Sequence, residues 1–138
     1  MPIADTELLF ALNPRDPKHR YALNCLKEIA DLVVPDTAIL EFQIVLRSRG
    51  RSLLQVRKAL LAVHEILASY DVREVKTINS TMLALQCEIE ETHKLSYFDS
   101  LIAASALTLD CKIISDDKDF DEVSELKRIP LSKNRFKP

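Results

Sequence analysis

Four short β-rich runs, Leu32-Val33-Val34, Val72 to Val75, Lys112-Ile113-Ile114-Ser115 and Arg128 to Leu131, alternate with longer stretches whose apolar residues recur every three or four positions. This alternation restricts the fold more than any other feature of the chain. Strands separated by helices cannot be joined as tight hairpins, so they pair mostly in parallel and need helices to cover them. The expected fold is an α/β sandwich with a mostly parallel sheet flanked by helices. A chain of 138 residues is long enough for one continuous core, so residues 1–138 are expected to form one domain.

The helical stretches have legible ends. Leu8 to Leu12 reads as a short buried helix stopped before Pro14, and Asp16-Pro17 as the start of the next, with Asp as cap and Pro in the first turn. Asp36-Thr37 is expected to cap a helix running to Gly50, with Ile39, Leu40, Ile44, Val45 and Leu46 on its buried side. Ser52 opens a helix that ends near Tyr70, and Asn79 opens another that ends around His93. Phe98 to Leu109 is apolar on nearly every side, which predicts a central buried helix.

Composition excludes several function classes. Gly50 is the only glycine, so neither a dinucleotide-binding fingerprint nor a P-loop can be written, and a bound phosphate would need something other than a glycine-rich backbone cradle. A formal net charge of -2 gives no overall basic field, so a nucleic acid would have to meet a local basic patch. Cys25, Cys87 and Cys111 are odd in number, far apart and set in apolar patterns, as expected of reduced core residues and not of a disulfide framework or zinc knuckle. No apolar run approaches membrane-spanning length and Met1-Pro2-Ile3-Ala4-Asp5 is unlike a secretory signal, so the expected location is cytoplasmic, with no membrane partner.

Acidic residues stand where apolar runs end or helices pack: Asp5 after Pro2-Ile3-Ala4, Glu41 inside an apolar helical stretch, Asp99 at a helix start, and Asp116-Asp117-Lys118-Asp119 after a strand. Singly, each has an ordinary explanation as a helix cap, a buried structural acid, a first-turn residue favoured by the dipole, or a solvated turn. Jointly they have the composition of a hard-cation site, because Mg²⁺ and Mn²⁺ take oxygen ligands. Ligands of open α/β sheets bind beyond the carboxyl ends of the strands. Asp5 and Asp116/Asp117 both follow strand-like runs, which predicts that they share one rim.

In this order and spacing, Ala4-Asp5-Thr6 with Leu8-Leu9, Ile39-Leu40-Glu41-Phe42, Tyr97-Phe98-Asp99-Ser100-Leu101-Ile102-Ala103-Ala104 and Ile113-Ile114-Ser115-Asp116-Asp117-Lys118-Asp119-Phe120 resemble the PIN-domain nucleases, above all the small prokaryotic VapC-type toxins. The resemblance covers essentially the whole chain, and the last motif is its most specific part. It implies a PIN-like three-layer sandwich whose acidic pocket binds Mg²⁺ or Mn²⁺, as one or two ions, and cleaves RNA. Carried across, Asp5, Glu41, Asp99 and Asp117 are the catalytic acids, and Asp5, Asp99, Asp117 and Asp119 the metal ligands. Thr6, Ser115 and Asp116 support them, with the direct ligand left open among Asp116, Asp117 and Asp119. Glu7 stands where the family commonly has Asn or Ser, and Ser100 where Ala is common. The resemblance also implies an antitoxin protein as partner and a homodimer.

The chemistry suits the residue types. Phosphodiester hydrolysis needs neutralised phosphate charge and a hydroxide at neutral pH, and divalent cations supply both. The expected function is a divalent-metal-dependent endoribonuclease, the toxin of a VapBC-type toxin–antitoxin pair; the alternative is a PIN-like module that binds RNA or protein without cutting. A haloacid-dehalogenase-like phosphatase would want Asp at the position of Glu7, and a receiver domain a phosphoacceptor where Val34-Pro35 offers none. Arg47, Arg49 and Arg51, with Arg57 and Lys58, are candidate RNA phosphate contacts and equally a solvated helix face; the tail Lys127, Arg128, Lys133, Arg135, Lys137 reads the same way. His19, His64 and His93 fit no metal spacing.

Overall fold

The computed structural model describes residues 1–133, so Arg135 and Lys137 of the basic tail lie outside the described residues. Ile3–Ala4 forms β1, Val33–Pro35 β2, Arg73–Val75 β3, Lys112–Ile114 β4 and Lys127–Ile129 β5. They pair in the order β3-β2-β1-β4-β5, and every ladder is parallel. Helices α1 (Thr6–Phe10) and α2 (His19–Glu28) connect β1 to β2, and α3 (Asp36–Ser48) and α4 (Leu53–Ser69) connect β2 to β3. Helices α5 (Ser80–His93) and α6 (Tyr97–Leu107) lead to β4, and a 3-10 helix, Lys118–Glu122, leads to β5.

Successive residues of a strand face opposite sides of the sheet. Ile3 and Ala4, Val33 and Val34, and Ile113 and Ile114 are each at most 1% exposed, so both faces are covered by helices and the α/β sandwich has three layers. From the central β1 the chain moves outward through β2 and β3, then returns to β4 on the other side of β1. The strand order therefore reverses between β1 and β4, the crevice where open parallel sheets bind ligands. No described helix is long and apolar enough to cross a membrane.

Four local expectations are corrected. The Asp16 carboxylate accepts the Lys18 N–H at 2.8 Å in a local turn, and α2 begins only at His19, with Lys18 as a cap whose side chain makes no bond to the helix end. Such a side-chain-to-backbone bond competes with helix initiation. Asp36 is not the cap of α3 but its first residue, after Pro35. Its carboxylate takes the N–H of Thr37, Thr77 and Ile78 and the Thr77 hydroxyl, which ties the segment after β3 to the start of α3.

On α3 the buried residues are Thr37, Ala38 and Phe42, while Leu40 and Ile44 are 38% and 41% exposed. Apolar residues surround this helix, so spacing alone does not single out its inner face. Leu40 instead lines an apolar cleft of about 460 Å³ with Ile39, Leu60, Val75 and Ile78. Of the cysteines only Cys25 is buried; Cys87 is exposed on α5 and Cys111 half-buried, and none of the three forms a disulfide among the described residues.

Scarce glycine has a visible consequence. Gly50, at φ 80°, closes α3 with Arg51 N–H bonded to Leu46 O, the usual left-handed helix terminus. Asp71 at φ 57° ends α4 identically, with Val72 N–H on Leu67 O, and Lys94 at φ 55° caps α5. Non-glycine residues thus hold left-handed positions that glycine takes at lower cost.

Candidate acidic site

Asp5 leaves the end of β1 and caps α1, one oxygen accepting the Thr6 N–H at 2.7 Å. Its other oxygen accepts the Ser115 hydroxyl, also at 2.7 Å, and Ser115 Oγ in turn accepts the Asp117 N–H at 2.9 Å. Ser115 follows β4, which pairs with β1 through Ala4 and Ile114. One buried hydroxyl thus joins the two strand ends on either side of the switch point. Asp5 is 7% exposed, and burial pushes its carboxyl up to about 7; the bonds from Ser115 and Thr6 hold it down, and the charges of Glu7 and Glu41 add to the rise.

Asp99 sits in the first turn of α6, whose cap Ser96 accepts the Asp99 N–H. Asp117 caps the 3-10 helix by accepting the Asp119 N–H at 2.9 Å. Phe120, fully buried, plugs that turn into the core and fixes its direction. The result is that carboxylate oxygens of Asp99, Asp117 and Asp119 all lie within 4.8 Å of one another. Asp99 is raised to about 6 by burial first, then by Asp117, with Glu41 and Asp119 adding to it against the bond at Ser96. Glu41, on α3, accepts the Thr6 hydroxyl, and its charge raises both Asp5 and Asp99.

The neighbouring acid goes elsewhere. Asp116 takes Lys18 Nζ at 2.8 Å and the N–H and hydroxyl of Ser132. Against the burial that would raise it, these bonds from Lys18 and Ser132 hold its carboxyl down at about 2. The Asp116 N–H donates to Glu7, which also lies 3.5 Å from Lys18. Glu7 and Lys18 thereby clamp the start of the last motif and set which of its acids faces the cluster. Sequence reading gave neither residue this part, and only the unusual Glu7 signalled it. Ser100, the other departure, is fully buried and accepts Gln86 Nε2 at 2.9 Å, holding α6 to α5.

Arg47, Arg49 and Arg51 are exposed at the end of α3 and just beyond it. Arg49 lies over the Phe10 ring, 4.9 Å from its centroid. His19 Nδ1 meets Ala11 O and His64 pairs with Glu74, so neither joins the acids.

Replacing Ser115 by Ala strips Asp5 of a donor and the Asp117 N–H of its acceptor. Ser115→Ala is expected to cost about 1–3 kcal/mol in urea unfolding, the penalty for buried polar groups left unpaired.

The PIN domain family model matches residues 3–126. Among solved structures, the chain is similar to Mycobacterium tuberculosis VapC20, a sarcin–ricin loop cleaving toxin, with a TM-score of 0.68 and 19% identity over 88% of this chain and 93% of that one. FitAB bound to the IR36 DNA fragment gives 0.70 and 14% identity over 95% of each chain. FitAcB from Neisseria gonorrhoeae gives 0.63 and 17% over 95% of this chain and 98% of that one. At these identities the likeness is one of fold, and no curated protein matches by sequence. The strand order, the shared rim and a family match across almost the whole described chain lead to one conclusion: this chain belongs to the PIN domain family.

Proposed function

We propose that the chain is a divalent-metal-dependent endoribonuclease and the toxin of a VapBC-type pair, with Asp5, Glu41, Asp99 and Asp117 as catalytic acids and Asp5, Asp99, Asp117 and Asp119 as metal ligands. The observation that carries this reading is the meeting of Asp99, Asp117 and Asp119 within 4.8 Å, at the switch point of a parallel sheet. Carboxylates so placed repel, and Asp99 is already raised to about 6. An all-oxygen donor set with surplus negative charge fits Mg²⁺ or Mn²⁺, and suits thiolate- or imidazole-seeking metals poorly.

When bound, such an ion supplies Lewis-acid polarisation of a phosphoryl oxygen and a water that ionises near neutral pH. The chain's own groups do the rest. Asp99, Asp117 and Asp119 would hold the ion. Asp5, fixed by the Thr6 N–H and Ser115, presents a carboxylate that cannot swing away. Glu41, anchored by the Thr6 hydroxyl, is set to orient a water towards the phosphate. Asp116 stays outside this set because Lys18 holds it.

The toxin reading, and with it an antitoxin partner, rests on the fold shared with VapC20. A homodimer would cover Leu53, Leu54 and Leu61 of α4, which are 67%, 50% and 58% exposed. A cytoplasmic location is proposed with the toxin reading.

The test is incubation of purified protein with total RNA in Mn²⁺, in Mg²⁺ or in EDTA. Discrete products that form only with metal are expected; intact RNA throughout would leave the non-cutting, binding module as the better reading. Saturating Mn²⁺ is also expected to raise the melting temperature, since an ion at a hundredfold excess over its Kd stabilises by about 2.7 kcal/mol.

A further inference from the structure

We infer that the cleft between the α1–α2 loop and the end of α3 binds the phosphate backbone of a single-stranded RNA segment beside the bond to be cut, through Arg49 and Arg15. The inference rests on the nuclease reading of the acidic rim. The cleft encloses about 540 Å³, and its walls include Glu7, Phe10, Arg15, Asp16, Lys18 and Arg49. Its acids are already engaged: Glu7 with Lys18 and the Asp116 N–H, Asp16 with the Lys18 N–H. Lys18 is spent on Asp116 and Glu7.

Arg15 and Arg49 remain. Both are exposed, and among the described residues neither guanidinium forms an ion pair. Arg49 is nonetheless held in place: its guanidinium lies 4.9 Å from the Phe10 ring centroid, and Phe10 is braced by Phe42 at 4.8 Å. A planar fork held this way offers paired N–H donors to a phosphate with little ordering cost.

The cleft also lies in line with the rim. Helix α3 runs beside α1, so that Glu41 meets Thr6 at one end while Arg49 meets Phe10 at the other. Eight residues of helix separate them, about 12 Å. At a rise of about 3.4 Å per stacked nucleotide, that is a reach of roughly three nucleotides from the acids. An acidic peptide could meet the same guanidiniums, but continuity with a rim built for a phosphodiester favours RNA.

The probe is a fluorescein-labelled single-stranded RNA of about 12 nucleotides, within the span such proteins cover. Its affinity is measured by anisotropy across a salt series for the Asp99→Asn chain, and for that chain with Arg49→Gln or Arg15→Gln, which keep the aliphatic stem. Each added change is expected to weaken binding about three- to tenfold and to reduce the slope of log K against log salt by about 0.7. Arg73→Gln, at the start of β3 with its guanidinium on Met1 Sδ at the opposite end of the sheet, is expected to change neither. Unaltered affinity in both cleft variants, with a parent that binds, would overturn the cleft and leave the nuclease reading intact. No binding by the parent overturns the cleft too, and whether the wild type cuts the same strand in Mn²⁺ then decides the nuclease reading separately. Tighter binding of a poly-glutamate peptide, lost in the same variants, would reassign the cleft to an acidic protein partner.

Discussion

Asp99→Asn and Asp117→Asn are each expected to lower RNA cleavage by on the order of a thousandfold or more, about 4 kcal/mol of transition-state stabilisation. Each change is also expected to abolish the upward shift of melting temperature in Mn²⁺. The two residues belong to the one group of acids, among the described residues, whose oxygens meet within 4.8 Å, and an amide in place of either removes a charge the cation needs. Loss of activity through unfolding would look different. Asp99 is held above its ordinary pKa, so a neutral side chain there should leave the metal-free melting temperature unchanged or raised at neutral pH. Asp116→Asn is the matching control. Its carboxyl is held down at about 2, so the ionised form stabilises the fold, and this contribution is present above the ordinary carboxylate range and lost as pH falls towards 2. Asp116→Asn should therefore cost about 2 kcal/mol at pH 7 while the Mn²⁺ shift survives. If instead Asp116→Asn erased the Mn²⁺ shift and Asp117→Asn preserved it, the assignment within the last motif would be wrong by one residue.

The ambiguity between Asp116 and Asp117 shows where reading the chain stops. That an acid follows β4 and another follows β1 was legible, because apolar runs ended there and the runs were short enough to be strands. Parallel pairing of the two strands then follows from helices lying between them, and the shared rim follows from the pairing. Which acid turns inward was not legible, because adjacent residues differ only by a rotation of the backbone. That rotation is set by Glu7 and Lys18, which lie 109 and 98 positions away in the chain. The inner face of α3 failed for a related reason. Leu40 and Ile44 are apolar yet exposed, since that flank opens on a cleft and not on another helix. Caps were more legible when their bonds stayed within a few residues, as at Ser52 and Asn79. Asp36 escaped because its partners come from the segment after β3.

Asp5→Asn should raise the stability of the metal-free protein at neutral pH while removing its activity. Burial places the Asp5 carboxyl at about 7, against an ordinary 3.8. A carboxyl with a raised folded-state pKa binds its proton more tightly in the folded than in the unfolded state. Its contribution is therefore fully present below about pH 4 and is lost as pH climbs to about 7. Between those limits the metal-free wild type should become progressively less stable. A difference of about three pKa units corresponds to roughly 4 kcal/mol by pH 8, an upper bound because ionisation can be relieved by small movements. Asn keeps the size and one acceptor for the Thr6 N–H and carries no charge to desolvate. The measurement is urea unfolding in EDTA from pH 4 to pH 8. Wild type should lose stability across this range, and Asp5→Asn should be flatter and the more stable of the two at the upper end. Saturating Mn²⁺ should reverse the ranking, because a cation compensates the ionised carboxylate and has no such purchase on the amide. Parallel pH profiles in EDTA would mean that Asp5 ionises as an ordinary surface acid, and the strained, cation-seeking rim proposed here would lose its most buried member.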